Sequence, residues 1–111
     1  MILTALAAEP LHGYGVIRAV DTLSHGDVVL RPGTLYGALD RLADQGLVVV
    51  DREEAVDGRL RRYYRLTDEG AAALAAQVDR LRRHADAAEV QLRRLRGRAV
   101  FGAAVSFGVT R

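Results

Sequence analysis

RPGTLYGALDRLADQGLVVVDREEAVDGRLRRYYRL, residues 31–66, changes its hydrophobic period midway, and that change decides the fold. At about 100° per residue, Leu35, Ala38, Leu39 and Leu42 share one face. Pro32 suits a first helical turn and Gly46 a C-terminal stop, which predicts a helix over residues 32–45. From Leu47 the pattern becomes that of strands. LVVVDREE (47–54) reads as one strand, AVDG (55–58) as a turn and RLRRYYRL (59–66) as the returning strand. On the returning strand Leu60, Tyr64 and Leu66 share a face with Arg62, while Arg59, Arg61, Tyr63 and Arg65 take the other.

The helix over 32–45 begins badly. Arg31 stands where Ser, Thr, Asp or Asn would normally cap, and losing such a cap costs roughly 0.5–2 kcal/mol. A cation beside the positive end of the helix dipole adds to that cost. Gly33, Gly37, Asp40, Arg41 and Asp44 point away from the apolar face, with Thr34 and Tyr36 at its edges.

Upstream, Ile2, Leu3, Leu6 and Ala7 are spaced as a short first helix that Pro10 stops. HGYGVIRAVDTL (12–23) predicts a second helix, with Tyr14, Ile17, Val20 and Leu23 on one face. SHGD (24–27) is a turn cluster, and the β-branched run VVL (28–30) is long enough only for a minor strand. Downstream, Thr67 caps a long helix with Asp68 and Glu69 in its first turn. Its apolar positions, Ala71, Leu74, Val78, Leu81, Ala85, Ala88, Leu92 and Leu95, alternate spacings of three and four. That period of 3.5 is a coiled-coil seam, and Gly97 is expected to end the helix. The order predicts a mainly α fold with a small β-hairpin wing (α+β): a winged helix-turn-helix over 1–66, a coiled-coil-like dimerisation helix over 67–96 and a tail over 97–111 of no assigned role.

Composition narrows the function classes. The chain has 111 residues and no cysteine, which excludes disulfides and thiolate metal sites. His12, His25 and His84 have no ligand spacing, so no metal or cofactor is expected. No nucleophile motif and no glycine-rich phosphate loop after a strand is present, so no enzyme is expected either. No apolar run reaches membrane-spanning length and no signal segment opens the chain, so a cytoplasmic protein without a membrane partner is expected. All sixteen Lys and Arg positions are arginine and the net charge is only +2. The charge is focused: residues 59–66 hold four arginines and no acid, whereas 47–58 hold one arginine against four acids.

EPLHGYGVIRAV, RPGTLYGALDRLADQGLV and DGRLRRYYRLTDEG stand in the order and spacing of PadR-like transcriptional regulators, which the chain resembles over residues 1–70. The combination of HGY, GTLY, RL-x3-GL and RRYY-x-LT-x2-G carries the resemblance. It implies a bacterial homodimer that binds double-stranded DNA, usually as a repressor, with the third helix in the major groove, the hairpin as wing and the last helix as dimer contact. The short extension resembles the branch with a single C-terminal helix. Two positions depart from the family pattern: Arg31 where Ser is frequent, and Gly37 where many members have Pro.

On this reading Tyr14, Arg31, Thr34, Tyr36, Gly37, Arg59, Arg61 and Arg62 are the candidate DNA-binding residues. Arg31 and the free N–H groups of the helix end meet a phosphate, and Gly37 lets the backbone approach the duplex. Alternatives stand beside several of them. Arg31 has Asp27 as a nearby acid, Tyr36 is close enough to the apolar face to be core, and Arg62 has Glu53 or Asp51 as internal partners. Tyr14 can pack instead of binding phosphate, and Tyr64 reads as core. Leu74, Val78, Leu81, Ala85, Ala88, Leu92 and Leu95 are the dimerisation candidates, the operator being a palindrome. Two further readings are a regulator that answers to a small aromatic or drug-like effector at the dimer interface, and a protein-interaction module that binds no DNA.

Overall fold

The computed structural model describes residues 1–101, which run α1 (Ile2–Leu6), α2 (Gly13–Leu23), α3 (Pro32–Asp44), β1 (Val48–Val56), β2 (Arg59–Leu66) and α4 (Asp68–Phe101). The helix-rich chain with one antiparallel hairpin and a long last helix is the expected architecture. It divides into two compact units, Met1–Ala76 and a second from Gln77 onward.

Ala5, Leu6, Val16, Val20, Leu35, Leu39, Val48 and Tyr64 form the core of the first unit. Leu35 and Leu39, one turn apart on α3, are wholly buried, each contributing on the order of 1.5–3 kcal/mol relative to exposure. α1 is too short to be stable alone and is held by Ala5 and Leu6 in that core, Ala7 lying outside it. The face predicted for α2 needs correction. Val16 and Val20 are its buried residues, while Tyr14 and Leu23 are exposed. The glycines set this phase. A Cβ at Gly15 would lie 3.3 Å from Leu11 Cδ2, so the helix packs through Gly13 and Gly15 and leaves Tyr14 outside.

The minor strand expected at 28–30 is absent. Ser24 Oγ instead accepts from the Val28 N–H at 2.9 Å, so the segment closes the turn after α2. Leu11 takes the place beside β2, exchanging N–H···O bonds of 3.0 and 2.9 Å with Tyr64. The hairpin turn is tighter than the four residues predicted. Val56 pairs with Arg59, and only Asp57 and Gly58 turn, both at positive φ, as a two-residue hairpin loop requires. Asp51 is an extra residue between the Val50–Tyr64 and Arg52–Tyr63 pairs, a β-bulge.

Gly46, at φ 77°, ends α3 as expected. Thr67 then fastens α4 to that turn. Its Oγ1 donates to the Gly46 carbonyl at 2.6 Å and accepts from the Gly70 N–H at 2.9 Å, while its own N–H reaches the Leu47 carbonyl at 3.1 Å. Gly70 abuts the Leu47 carbonyl so closely that no Cβ fits there. Gly97 does not end α4, which continues to Phe101. Gly97 lacks the positive φ that stops α3 at Gly46, and a glycine within a helix costs only about 1 kcal/mol relative to alanine. The part of the tail over residues 102–111 lies outside the described residues.

Candidate nucleic-acid interface

α3 starts at Pro32 with Arg31 as its N-cap residue in extended conformation, and the Arg31 side chain makes no capping bond. Among the described residues it pairs neither with Asp27 nor with any other acid, and it is exposed. The first turn of α3 is therefore left with unsatisfied N–H groups beside an unpartnered cation. Thr34 is exposed on the same turn, and nothing lies within 4 Å of where a Gly33 Cβ would stand. Gly37 is half-buried.

Tyr36 is not core. It is 49 % exposed, and its ring lies across α2, with Cζ 2.9 Å from the position of a Gly13 Cβ and the hydroxyl closer still. The HGY and GTLY motifs thus meet in space, and Gly13 lacks a side chain where the Tyr36 ring sits. Tyr14, next to that contact, is 63 % exposed. Its orientation leaves the hydroxyl available to a partner.

The hairpin sorts its arginines. Arg62 Nε donates to Glu53 Oε2 at 2.9 Å, the internal pairing already considered for it. Arg52 lies 4.0 Å above the Tyr63 ring and bonds Glu54 at 3.0 Å and Asp51 at 3.1 Å. Arg65 reaches Asp51 at 3.4 Å, so the bulged residue holds two arginines. Arg59 and Arg61 have no ion-pair partner among the described residues. Tyr64 is buried, as its place on the apolar face predicted.

These elements enclose an open groove of about 680 Å³ between the start of α2, the outer side of α3 and the hairpin. Tyr14, Tyr36, Arg59, Arg61 and Arg62 all line it, together with Asp40. Arg31, Thr34 and Gly37 do not, and lie along α3 outside the groove lining. His12, unassigned from sequence, also lines the groove. Its Nδ1 accepts from the Gly15 N–H at 3.4 Å, a long bond, and its ring stands edge-on to Tyr63 at 5.2 Å. Burial, then the charges of Arg61 and Arg18, push its imidazole below the ordinary histidine value, which favours the neutral ring, the form with a nitrogen able to accept. A capping role for histidine carries little sequence signal because Ser, Thr, Asp and Asn dominate such positions.

Along α4 the heptad positions are open in the single chain. Leu81 is 59 % and Leu95 58 % exposed, Val78, Ala85, Ala88 and Leu92 are exposed, and Leu74 is half-buried. No described helix is long and apolar enough to cross a membrane, and no cluster of three metal-ligating side chains occurs among the described residues.

Comparison with known proteins agrees with this architecture. Transcriptional regulator Rv3488 of Mycobacterium tuberculosis is 42 % identical over 73 residues, 66 % of this chain and 64 % of that protein. A PadR family transcription regulator from Clostridium difficile superposes with a TM-score of 0.67 at 26 % identity, covering 82 % of this chain and 93 % of the other. Bacillus subtilis PadR, solved in complex with operator DNA, gives a TM-score of 0.62 at 23 % identity over 69 % of this chain and 44 % of that one, a likeness of fold. The chain spans 32 % of the length of transcriptional regulator YqjI of Escherichia coli and 64 % of that of Rv3488. The sequence model of the transcriptional regulator PadR-like family matches residues 2–76, the part that holds the core, the groove and the hairpin, and the chain belongs to that family.

Proposed function

We propose that the protein is a sequence-specific DNA-binding transcription regulator that acts as a homodimeric repressor on a palindromic operator. The observation that carries this reading is the placement of Tyr14, Tyr36 and the unpaired Arg59 and Arg61 around one groove beside the outer face of α3. The start of α3 enters the major groove, with Arg31, Thr34 and Tyr36 at its leading end and Gly37 on its outward face. Tyr14 meets the phosphate backbone from α2, and Arg59 and Arg61 meet it from the wing. Arg62 contributes through its charge while bonded to Glu53.

Dimerisation uses the open seam of Leu74, Val78, Leu81, Ala85, Ala88, Leu92 and Leu95. A two-fold pair of recognition helices then reads half-sites about 34–36 Å apart, one helical turn of DNA. Occupancy of a promoter blocks transcription. This work takes place where DNA is, in the cytoplasm of a bacterial cell.

The test is selection of duplexes from a random pool, followed by binding measured across a salt series. The expected result is a palindromic site whose log–log salt slope falls by about 1.8, about 0.9 per protomer, for each of Arg59→Ala and Arg61→Ala. A protein that binds no duplex in a salt-dependent manner overturns the proposal.

A further inference from the structure

We infer that Arg41, outside the set of contacts proposed above, is the residue of α3 that reads a guanine base, and that Gly37 opens the lane along which its guanidinium reaches that base. The inference rests on the reading of α3 as the major-groove helix.

Arg41 emerges from the flank of α3, below Thr34, at about 100° per residue. Its guanidinium does not stay there. Nη1 lies 3.5 Å from where a Gly37 Cβ would stand, so the side chain runs back toward the helix start, as long side chains on helices do, and lies over the glycine. Gly37 and Gly33 mark the centre of the outward face, opposite the buried Leu35 and Leu39. Arg41 is exposed and makes no ion pair among the described residues, although Asp40 and Asp44 are its close neighbours in the chain. An arginine held for structure would be expected to pair with one of them. This one instead lies unpaired across the middle of the outer face.

That position selects bases over phosphates. A helix about 10–12 Å across fills a major groove about 12 Å wide, so its flanks meet the phosphate walls and its outward centre meets the base edges. A planar guanidinium there matches the O6 and N7 acceptors of guanine with two parallel hydrogen bonds, which a lysine cannot reproduce. Any large side chain at position 37 would occupy the lane. Glycine at position 37 keeps it clear.

The experiment uses the full chain and the duplex it selects, with every single-base change introduced in each half-site. Arg41→Ala and Arg41→Lys should each lose roughly 5- to 150-fold in affinity per half-site of the selected duplex. Both should become indifferent to base identity at one G·C pair per half-site, and Arg41→Lys should keep the wild-type salt slope. Gly37→Leu should relax the same position. Circular dichroism checks that each variant folds, which the exposure of Arg41 favours. Uniform weakening across all sequences, with a salt slope reduced by about 1.8 (about 0.9 per protomer) in Arg41→Ala, would identify a phosphate contact and overturn the inference. Unchanged discrimination in Arg41→Ala overturns it equally. A wild-type protein that binds no duplex overturns the DNA-binding reading itself and this inference with it, so the two failures are distinct.

Discussion

The ring of Tyr36 occupies the space that a side chain at position 13 would need, so Gly13→Ala must displace either the ring or the start of α2. Overpacking of this kind costs about 1–3 kcal/mol, offset in part by the better helix propensity of alanine. Urea denaturation should show that loss in the otherwise unchanged chain and little or none in a Tyr36→Ala background. A coupling below about 0.5 kcal/mol would mean that the two residues do not share the space. At this scale the sequence was partly legible. The burial of Tyr64 and the outward edge position of Tyr36 follow from strand and helix periods. The Gly13–Tyr36 contact does not, because it joins residues far apart in the chain and leaves no trace in either period. The pairing of Arg62 with Glu53 was readable only as one option among several, since register within a hairpin is settled by the turn and the bulge.

The element most dependent on a single side chain is the start of α4. The Thr67 hydroxyl makes two hydrogen bonds, capping the Gly70 N–H within this helix and donating to the Gly46 carbonyl of the turn after α3, and the Thr67 backbone N–H adds a third to the Leu47 carbonyl. Thr67→Ala should therefore cost more than an ordinary cap, at or above the upper part of the usual range of roughly 0.5–2 kcal/mol. Thr67→Ser, which keeps the oxygen, should recover most of it in thermal denaturation. Equal stability of the two variants would show that the oxygen carries none of this. α3, the hairpin and the cap of α4 were all legible because each is written in local signals: an apolar stripe, a DG turn, a Thr before two acids. The errors arose where local signals compete with packing. The run 28–30 is β-branched yet is captured by the Ser24 turn, and the phase of α2 is set by two glycines that no hydrophobic pattern reveals. Gly97 has the composition of a stop without the backbone conformation of one.

For the molecule as a whole, a net charge of +2 is too small to draw it to DNA by bulk attraction, so in the function proposed above affinity comes from where the charge lies and from engaging two half-sites at once. Leu81→Glu combined with Leu92→Glu places like charges in the exposed seam without touching the core of the first unit. Light scattering should show a monomer, and affinity for the full palindrome should fall toward that for a single half-site, while thermal stability of the first unit is unchanged. A dimer that survives both substitutions would locate the contact elsewhere. The 3.5-residue spacing corresponds to an exposed apolar stripe along α4, and spacing alone does not state the partner of that stripe.

The hairpin has one further property. It is clamped at its root, where Tyr64 bridges Leu11 and Val48 is buried, and every residue of β1 between Val48 and Val56 is exposed. Mechanically it is a cantilever whose free end contributes no residue to the core. Adding or removing a cross-strand pair next to Asp57–Gly58 moves the tip by about 3.4 Å while the interior is left as it was. In the proposed function, reach across the double helix can therefore be lengthened or shortened in evolution, or by design, without renegotiating stability.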